Sequence, residues 1–295
     1  MKKNSTPKPT KHTIGLDLGD VRHNICVLDR AGDIIDERTI TNHRESLRRL
    51  ARKYPGALLA LEVGTHSPWI SRFMKELGLE VIVANARKLR AIYMNDRKSD
   101  ELDAQMLAKI ARLDPSLLHP IHHGSEQAQR DLLQIKLRDN LVRQRVGIIT
   151  SVRFTLKSLG VRLPSPNTAC FAKRARTLLA GKHPELLAMV EPSLSVLEEL
   201  TLRIRELERA IESMCQERYP QSALLRQITG VGPITALCFV LVVGHPERFS
   251  EVRGVAAYFG LVPRRDQSGG CDKKLPISKA GNAYMRRLLD RKSVV

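Results

Sequence analysis

No stretch of this sequence reaches the roughly 18 consecutive apolar residues that a membrane-spanning helix requires, so no membrane partner is expected. The opening residues, MKKNSTPKPTKH, are basic but lack the apolar centre of a secretory signal. Residues 1–12 read as a disordered cationic arm, and a cytoplasmic location is the expectation. Cysteine is scarce and scattered, with five residues at 26, 170, 215, 238 and 271 and no CxxC pair. An odd count at wide spacing supports neither a zinc knuckle nor a disulfide framework, so the thiols read as reduced. No internal repeat of solenoid period is present. Acids are outnumbered, 31 against 49 Lys and Arg, for a net charge of +18. Such an excess favours a polyanionic partner, because each cation placed on a phosphate releases condensed counterions. Nucleic acid is the first candidate; a merely solvated basic surface is the plain alternative.

What remains is an ordinary globular composition, 42% hydrophobic and 27% charged over 295 residues, enough for about two domains. TIGLDLG, NICVLDR and DIIDERTI, over residues 13–40, read as a meander of three strands with a turn at Ala31-Gly32. Residues 43–53 have helical spacing at Leu47 and Leu50, ALLALEV (57–63) has the length of a buried strand, and EVIVAN (80–85) is a further strand. A helix from His66 to Leu77, closed by Gly78, separates the last two. This order predicts an α/β domain over 13–114 in which helices cover a mixed sheet. Ser99 reads as the N-cap of a helix that stops before Asp114-Pro115.

The middle, 115–221, reads as a linker followed by long helices. Residues 126–159 form one helical pattern, and Leu197, Leu200, Ile204, Leu207, Ile211 and Met214 keep heptad spacing in another. A coiled-coil arm and a helix pair packed within one chain both satisfy that stripe. The remainder, 222–295, reads as a small, mostly α C-terminal domain, helical to about 260 and then loop-rich and basic.

Three constellations carry chemistry. Asp17 lies within one apolar strand and Glu62 at the end of another, where an unpaired carboxylate is costly to bury. Asp100 and Asp103 share one face of a helix's first turn, where the dipole favours negative charge. Four converging carboxylates would suit Mg2+ or Mn2+, and a metal pair clamps the attacking and leaving oxygens of a phosphodiester. Helix-start acids or a strand-end acid paired with lysine are the plain readings, and Asp96 and Glu101 are near alternatives to the helix pair. The second constellation is Gly230-Val231-Gly232-Pro233 between apolar segments, a helix-hairpin-helix-like element whose backbone N–H groups could meet a phosphate, or an ordinary tight turn. The third is Ser268, flanked by Gly269 and Gly270 among Arg264, Arg265, Lys273, Lys274 and Lys279. A serine in a cationic loop could attack a phosphodiester; a plain turn is the alternative, and Ser278 is a second candidate.

These segments together carry a resemblance. IGLDLG, LALEVG and DRKSDELDAQMLA at the front, with ITGVGPITA, AAYFGLVPRRDQSGG and ISKAGNAYMRRLL at the back, resemble the insertion-sequence transposases with a DEDD catalytic domain. That family includes the pilin-gene invertases and the bridge-RNA-guided recombinases. The resemblance implies a RuvC-like, RNase H-like first domain whose four acids are Asp17, Glu62, Asp100 and Asp103, binding Mg2+. It implies a C-terminal transposase domain with Ser268 as nucleophile, a composite site built from two subunits of a homo-oligomer (dimer or tetramer), and a structured noncoding guide RNA that pairs with DNA. Gln267 stands where the family often has a second serine, and the chain ends at DRKSVV where the family pattern runs on through further helix. The expected function is therefore DNA transposition or site-specific recombination. The rivals are a junction-type nuclease that uses water, and a non-catalytic nucleic-acid-binding remnant.

Overall fold

The computed structural model describes residues 12–89, 99–163, 168–268 and 271–290. The chain divides between His123 and Gly124 into two compact units. Among the described residues no helix is long and apolar enough to cross a membrane.

The N-terminal unit is built on five strands: β1 (Thr13–Asp17), β2 (Arg22–Leu28), β3 (Ile34–Thr41), β4 (Leu58–Glu62) and β5 (Glu80–Ala84). Their order is β3-β2-β1-β4-β5. The first three form an antiparallel meander, while β4 and β5 run parallel to β1. Among the described residues the unit's α-helices are α1 (Arg44–Lys53), α2 (Ser67–Glu76) and α3 (Asp100–Leu113). The central strands β1 and β4 are mainly apolar up to their terminal acids because both faces are covered, which is the usual condition of parallel strands. One face packs Ile14, Leu16, Ile25, Leu59 and Leu61 against Leu47 and Leu50 of α1 and Ile70 and Met74 of α2. The other packs Cys26, Leu28, Leu58 and Ala60 against Ala104, Leu107, Ala108 and Ala111 of α3. The edge strand β3 is largely exposed and carries Asp36, Glu37 and Arg38, charges that discourage pairing with another chain. Asp17 ends β1 rather than lying inside it.

Gly15 sets the distance between α3 and the sheet. A Cβ there would lie 1.9 Å from the Ala104 carbonyl oxygen and 2.7 Å from the Ala108 nitrogen, so only glycine lets the helix backbone rest on β1. Ser99 caps α3, its hydroxyl accepting from the Leu102 N–H.

The C-terminal unit is mainly helical. It contains α4 (Glu126–Ser158), α5 (Phe171–Lys182), α6 (Pro184–Glu217), α7 (Ser222–Arg226), α8 (Pro233–Val243), α9 (Val252–Tyr258) and α10 (Ala283–Asp290). The long helices α4 and α6 lie antiparallel, with two apolar clusters along them. In one, Ile149, Val152 and Leu156 meet Phe171, Leu179, Leu194 and Leu197. In the other, Ile135 meets Ile211, Met214, Leu237, Phe259 and Met285. Of the heptad stripe, Leu197, Ile204, Ile211 and Met214 are buried within the chain, whereas Leu200 and Leu207 stay half-exposed.

The basic tail departs from the loop expected of it. It holds a hairpin of β6 (Pro263–Ser268) and β7 (Cys271–Ile277), paired antiparallel with Ser268 opposite Cys271. A two-residue Gly-Gly connection is a hairpin signal, but PRRDQS and CDKKLPI lack the apolar alternation that normally marks strands. Helix α7 is a single short turn, so the expected helix before the glycine turn is much shorter than its apolar sequence suggests.

Candidate active site

Side-chain direction in the sheet determines which acids share a face. Successive residues of a strand alternate, and Asp17 has the parity of Gly15, which lies under α3. Glu62 has the parity of Leu58 and Ala60, which also pack on the α3 face. Leu16 pairs with Leu61 in parallel register, so each acid is the next residue on adjacent strands, about 4.8 Å apart in backbone. Asp103 stands one residue before Ala104, the residue whose carbonyl touches β1, and is buried. Three carboxylates from β1, β4 and the first turn of α3 thus belong to the same face and the same end of the sheet. Asp17 and Glu62 are half-buried, and Asp100 and Glu101 are exposed. Asp96 lies outside the described residues.

An oxygen-only set of this kind suits a hard divalent cation. The fit is one of donor chemistry and element placement. Among the described residues, no three His, Cys, Asp or Glu side chains are drawn together as the ligands of a bound ion would be.

A group of histidines, absent from the sequence reading, gathers in the same unit. His66 pairs with Asp20 at 2.9 Å and accepts from the Trp69 indole N–H at 3.2 Å. The fully buried Ser67 hydroxyl donates to the Gly64 carbonyl at 2.8 Å, accepts from the Gly64 N–H at 3.0 Å, and lies 2.9 Å from His123 Nε2. His23 is fully buried on β2, with the Asn42 side chain and the Gly19 backbone as its polar neighbours. Burial holds both His23 and His123 below the ordinary histidine value. The residue types gave no warning: histidines at 23, 66 and 123 share no spacing, and only the fold assembles them.

In the C-terminal unit, Gly230 takes a positive φ of 85° and Gly232 precedes α8 in extended backbone. Pro233 opens that helix without an N–H to offer. Ser268 ends β6 at the tip of the hairpin, next to Gly269 and Gly270, which lie outside the described residues. Arg264, Arg265 and Lys273 are exposed along the hairpin, Lys274 pairs with Arg265 in register, and Lys279 follows β7 with a φ of 52°. The Ser278 N–H donates to the Val262 carbonyl and its hydroxyl accepts from the Ala280 N–H at 3.4 Å, which gives it a local structural role.

Comparison with known proteins bears on both units. Residues 14–160 match a DEDD-type transposase family model, and residues 222–292 match the model of the IS116/IS110/IS902 transposase family. Together the two take in well over half the chain. Relatives span nearly all of it. A "Probable family 20 transposase" of Pseudomonas aeruginosa is 28% identical, covering 94% of this chain and 81% of its own length. The transposase for insertion sequence element IS1328 of Yersinia enterocolitica is 27% identical, over 95% and 82% respectively. The transposase for IS1111A of Coxiella burnetii is 26% identical, over 94% and 75%.

Proposed function

Since the chain belongs to the IS110/IS116 family of transposases, we propose that it cuts and rejoins DNA with two cooperating sets of residues. One is the carboxylate corner of Asp17, Glu62, Asp103 and Asp100; the other is Ser268. The observation that carries the reading is the shared face of Asp17, Glu62 and the first turn of α3. A Mg2+ or Mn2+ ion held by those carboxylates would supply Lewis-acid polarisation of the scissile phosphate. The chain's own contribution is positioning. The backbone contact at Gly15 fixes the helix that carries Asp103, and Ser99 fixes its first turn.

On the C-terminal side, the Ser268 Oγ would bond to phosphorus as the bond from phosphorus to the bridging sugar oxygen breaks, and the serine proton would pass through solvent to that oxygen, which departs as a hydroxyl. The phosphodiester is kept as a serine–DNA ester, so a second sugar hydroxyl can reverse the exchange without an outside energy source. Arg264, Arg265, Lys273, Lys274 and Lys279 would neutralise charge on the phosphate, and Gly230 and Gly232 would meet the DNA backbone. The family resemblance also implies a structured noncoding guide RNA; the surplus of positive charge suits a polyanion of either kind. Assembly of more than one copy follows from the need to hold two duplexes, with Leu200 and Leu207 as the seam.

The test is a nicked DNA substrate resolved on denaturing gels. Wild type should trap an adduct that maps to Ser268; Ser268→Ala should bind DNA and give no recombinant. Asp17→Asn should lose metal-dependent cleavage by at least about a hundredfold while keeping its fold. Cleavage without an adduct would transfer the attack to water, and an adduct at Ser278 would move the nucleophile.

A further inference from the structure

We propose that one face of α4 forms a subsite for an unpaired nucleotide of a single strand, with the base on Phe154 and the backbone phosphate among Arg153, Lys157 and Arg162. The proposal rests on the nucleic-acid reading above and adds a site outside both residue sets named there.

The observation is a cavity of about 380 Å³ lined by Thr150, Arg153, Phe154, Lys157, Arg162 and Leu163, within the size range of small-ligand sites. Thr150, Arg153, Phe154 and Lys157 follow the i, i+3, i+4, i+7 spacing of one helix face. A neighbouring face of the same turns, Ile149, Val152 and Leu156, is buried in the core. Gly160, at a φ of 80°, then turns the chain so that Arg162 closes the cavity while Leu163 anchors in the apolar cluster.

Two features separate this pocket from an ordinary basic surface. First, among the described residues none of its three cations forms an ion pair, although Arg138, Arg143, Arg176, Arg203, Arg218, Arg226 and Arg287 of the same unit all do. A neighbouring cavity of about 550 Å³ is lined by Arg205 and Arg209 together with Glu208 and Glu212, acids that pair with Arg138 and Arg226, whereas no carboxylate lines this one. Second, Phe154 is 67% exposed, an uncovered aromatic ring among uncompensated cations. A ring that stacks bases beside charges that track phosphates is the working pair of single-strand binding sites. Duplex DNA hides its base faces, so the occupant is unpaired.

The test uses the full chain and fluorescence anisotropy with labelled oligo-dT, oligo-U and abasic strands of about twelve nucleotides. Phe154→Ala should weaken both base-bearing strands by roughly tenfold and leave the abasic strand unchanged. Phe154→Trp should restore affinity and add an emission quenched by base-bearing strands, above the signal of Trp69, the natural tryptophan. Arg153→Gln with Lys157→Gln should weaken all three strands and lower the salt slope by about 0.7 per cation removed. A loss confined to oligo-dT or to oligo-U would assign the subsite to DNA or RNA. Phe154→Ala binding within about twofold of wild type, or losing the abasic strand equally, would overturn the proposal. So would a Phe154→Ala effect seen only in sedimentation, which would make the ring a contact between copies. If wild type binds no strand at all, the nucleic-acid reading itself fails; if it binds independently of Phe154, only this subsite does.

Discussion

The two units hold their candidate residues by opposite means. In the N-terminal unit, backbone presses on backbone: α3 rests on β1 at Gly15, and the carboxylates are carried on strand ends and a helix start that cannot shift separately. In the C-terminal unit, side chains tie long helices together. Asp131, almost fully buried on α4, accepts from Arg218 at 2.8 Å and from the Tyr219 hydroxyl at 2.7 Å. Asp139 joins Arg287 of α10 to α4, and Arg138 joins Glu208 of α6. The first arrangement suits groups that must keep sub-ångström relations. The second leaves exposed faces of helices and a hairpin for a large, irregular polyanion.

The comparison is broken most severely at Gly15. Gly15→Val places branched carbon against the Ala104 carbonyl and the Ala108 nitrogen, and neither backbone atom can rotate away. We expect a loss of at least about 3 kcal/mol from the N-terminal unit. Urea unfolding followed by Trp69 fluorescence, the one tryptophan of the chain, reads that unit alone. Far-UV circular dichroism should keep the helical signal of α4 and α6 through the Trp69 transition. One shared transition for both probes would mean the units are not held independently.

The counterpart in the other unit is Asp131→Ala. It strands the Tyr219 hydroxyl and removes the partner of Arg218, whose side chain is 43% exposed and so recovers part of its hydration. A cost of about 2–4 kcal/mol follows, visible in circular dichroism and not in Trp69 fluorescence. A variant as stable as wild type would show that apolar packing around Ile135 and Ile211, rather than the polar tie, holds α4 to α6.

The difference between the units also explains what the sequence could tell. Strand alternation and apolar runs are local, so β1, β4, β5 and the start of α3 at Ser99 were legible, along with the acids placed at their ends. Asp17 alone was misplaced, from strand end to strand interior, because Leu18 continues the apolar pattern past the last paired residue. The glycine at 15 looked like any strand glycine until α3 was seen to lie on it. In the C-terminal unit the heptad stripe left two packings open, since an apolar seam does not say whose helix covers it; Leu197, Ile204 and Ile211 are covered by this chain. The hairpin was missed because Arg264, Arg265, Lys273 and Lys274 supply charge where strands usually show alternation. The exposed Phe154 was invisible for a simpler reason: one apolar residue on a helix has no face until the core is known.

A milder probe is Ser67→Ala, which removes a buried hydroxyl that bridges the Gly64 backbone and His123. It should cost the N-terminal unit about 1–2 kcal/mol and loosen the turn after Glu62, so the cleavage proposed for the carboxylate corner should fall. An unchanged Trp69 transition would show that the turn is held by Pro68 and the α2 start alone.

The smallest effect is a pH dependence confined to the same unit. His123 is held below its ordinary value of 6.5, first by burial and then by Arg72, Lys75 and His122; His23 is lowered by burial, with Asn42 opposing and His66 adding to it. In the unfolded chain both rings titrate near 6.5. As pH falls through that value the unfolded chain takes up protons that the folded unit resists, so acid favours unfolding. The stabilisation is complete above about pH 6.5 and declines below it until the folded values are passed. Each histidine contributes a slope of at most about 1.4 kcal/mol per pH unit in that window. Trp69-monitored melting should therefore be flat from pH 8 to 7 and fall from 7 toward 5. His123→Gln keeps a polar partner for Ser67 and removes the titration, so its curve should be flatter in the same window, with no change in the C-terminal transition. Stability that rises on acidification, or a His123→Gln slope equal to wild type, would show that His123 exchanges freely with solvent and that the histidine group is looser than its hydrogen bonds imply.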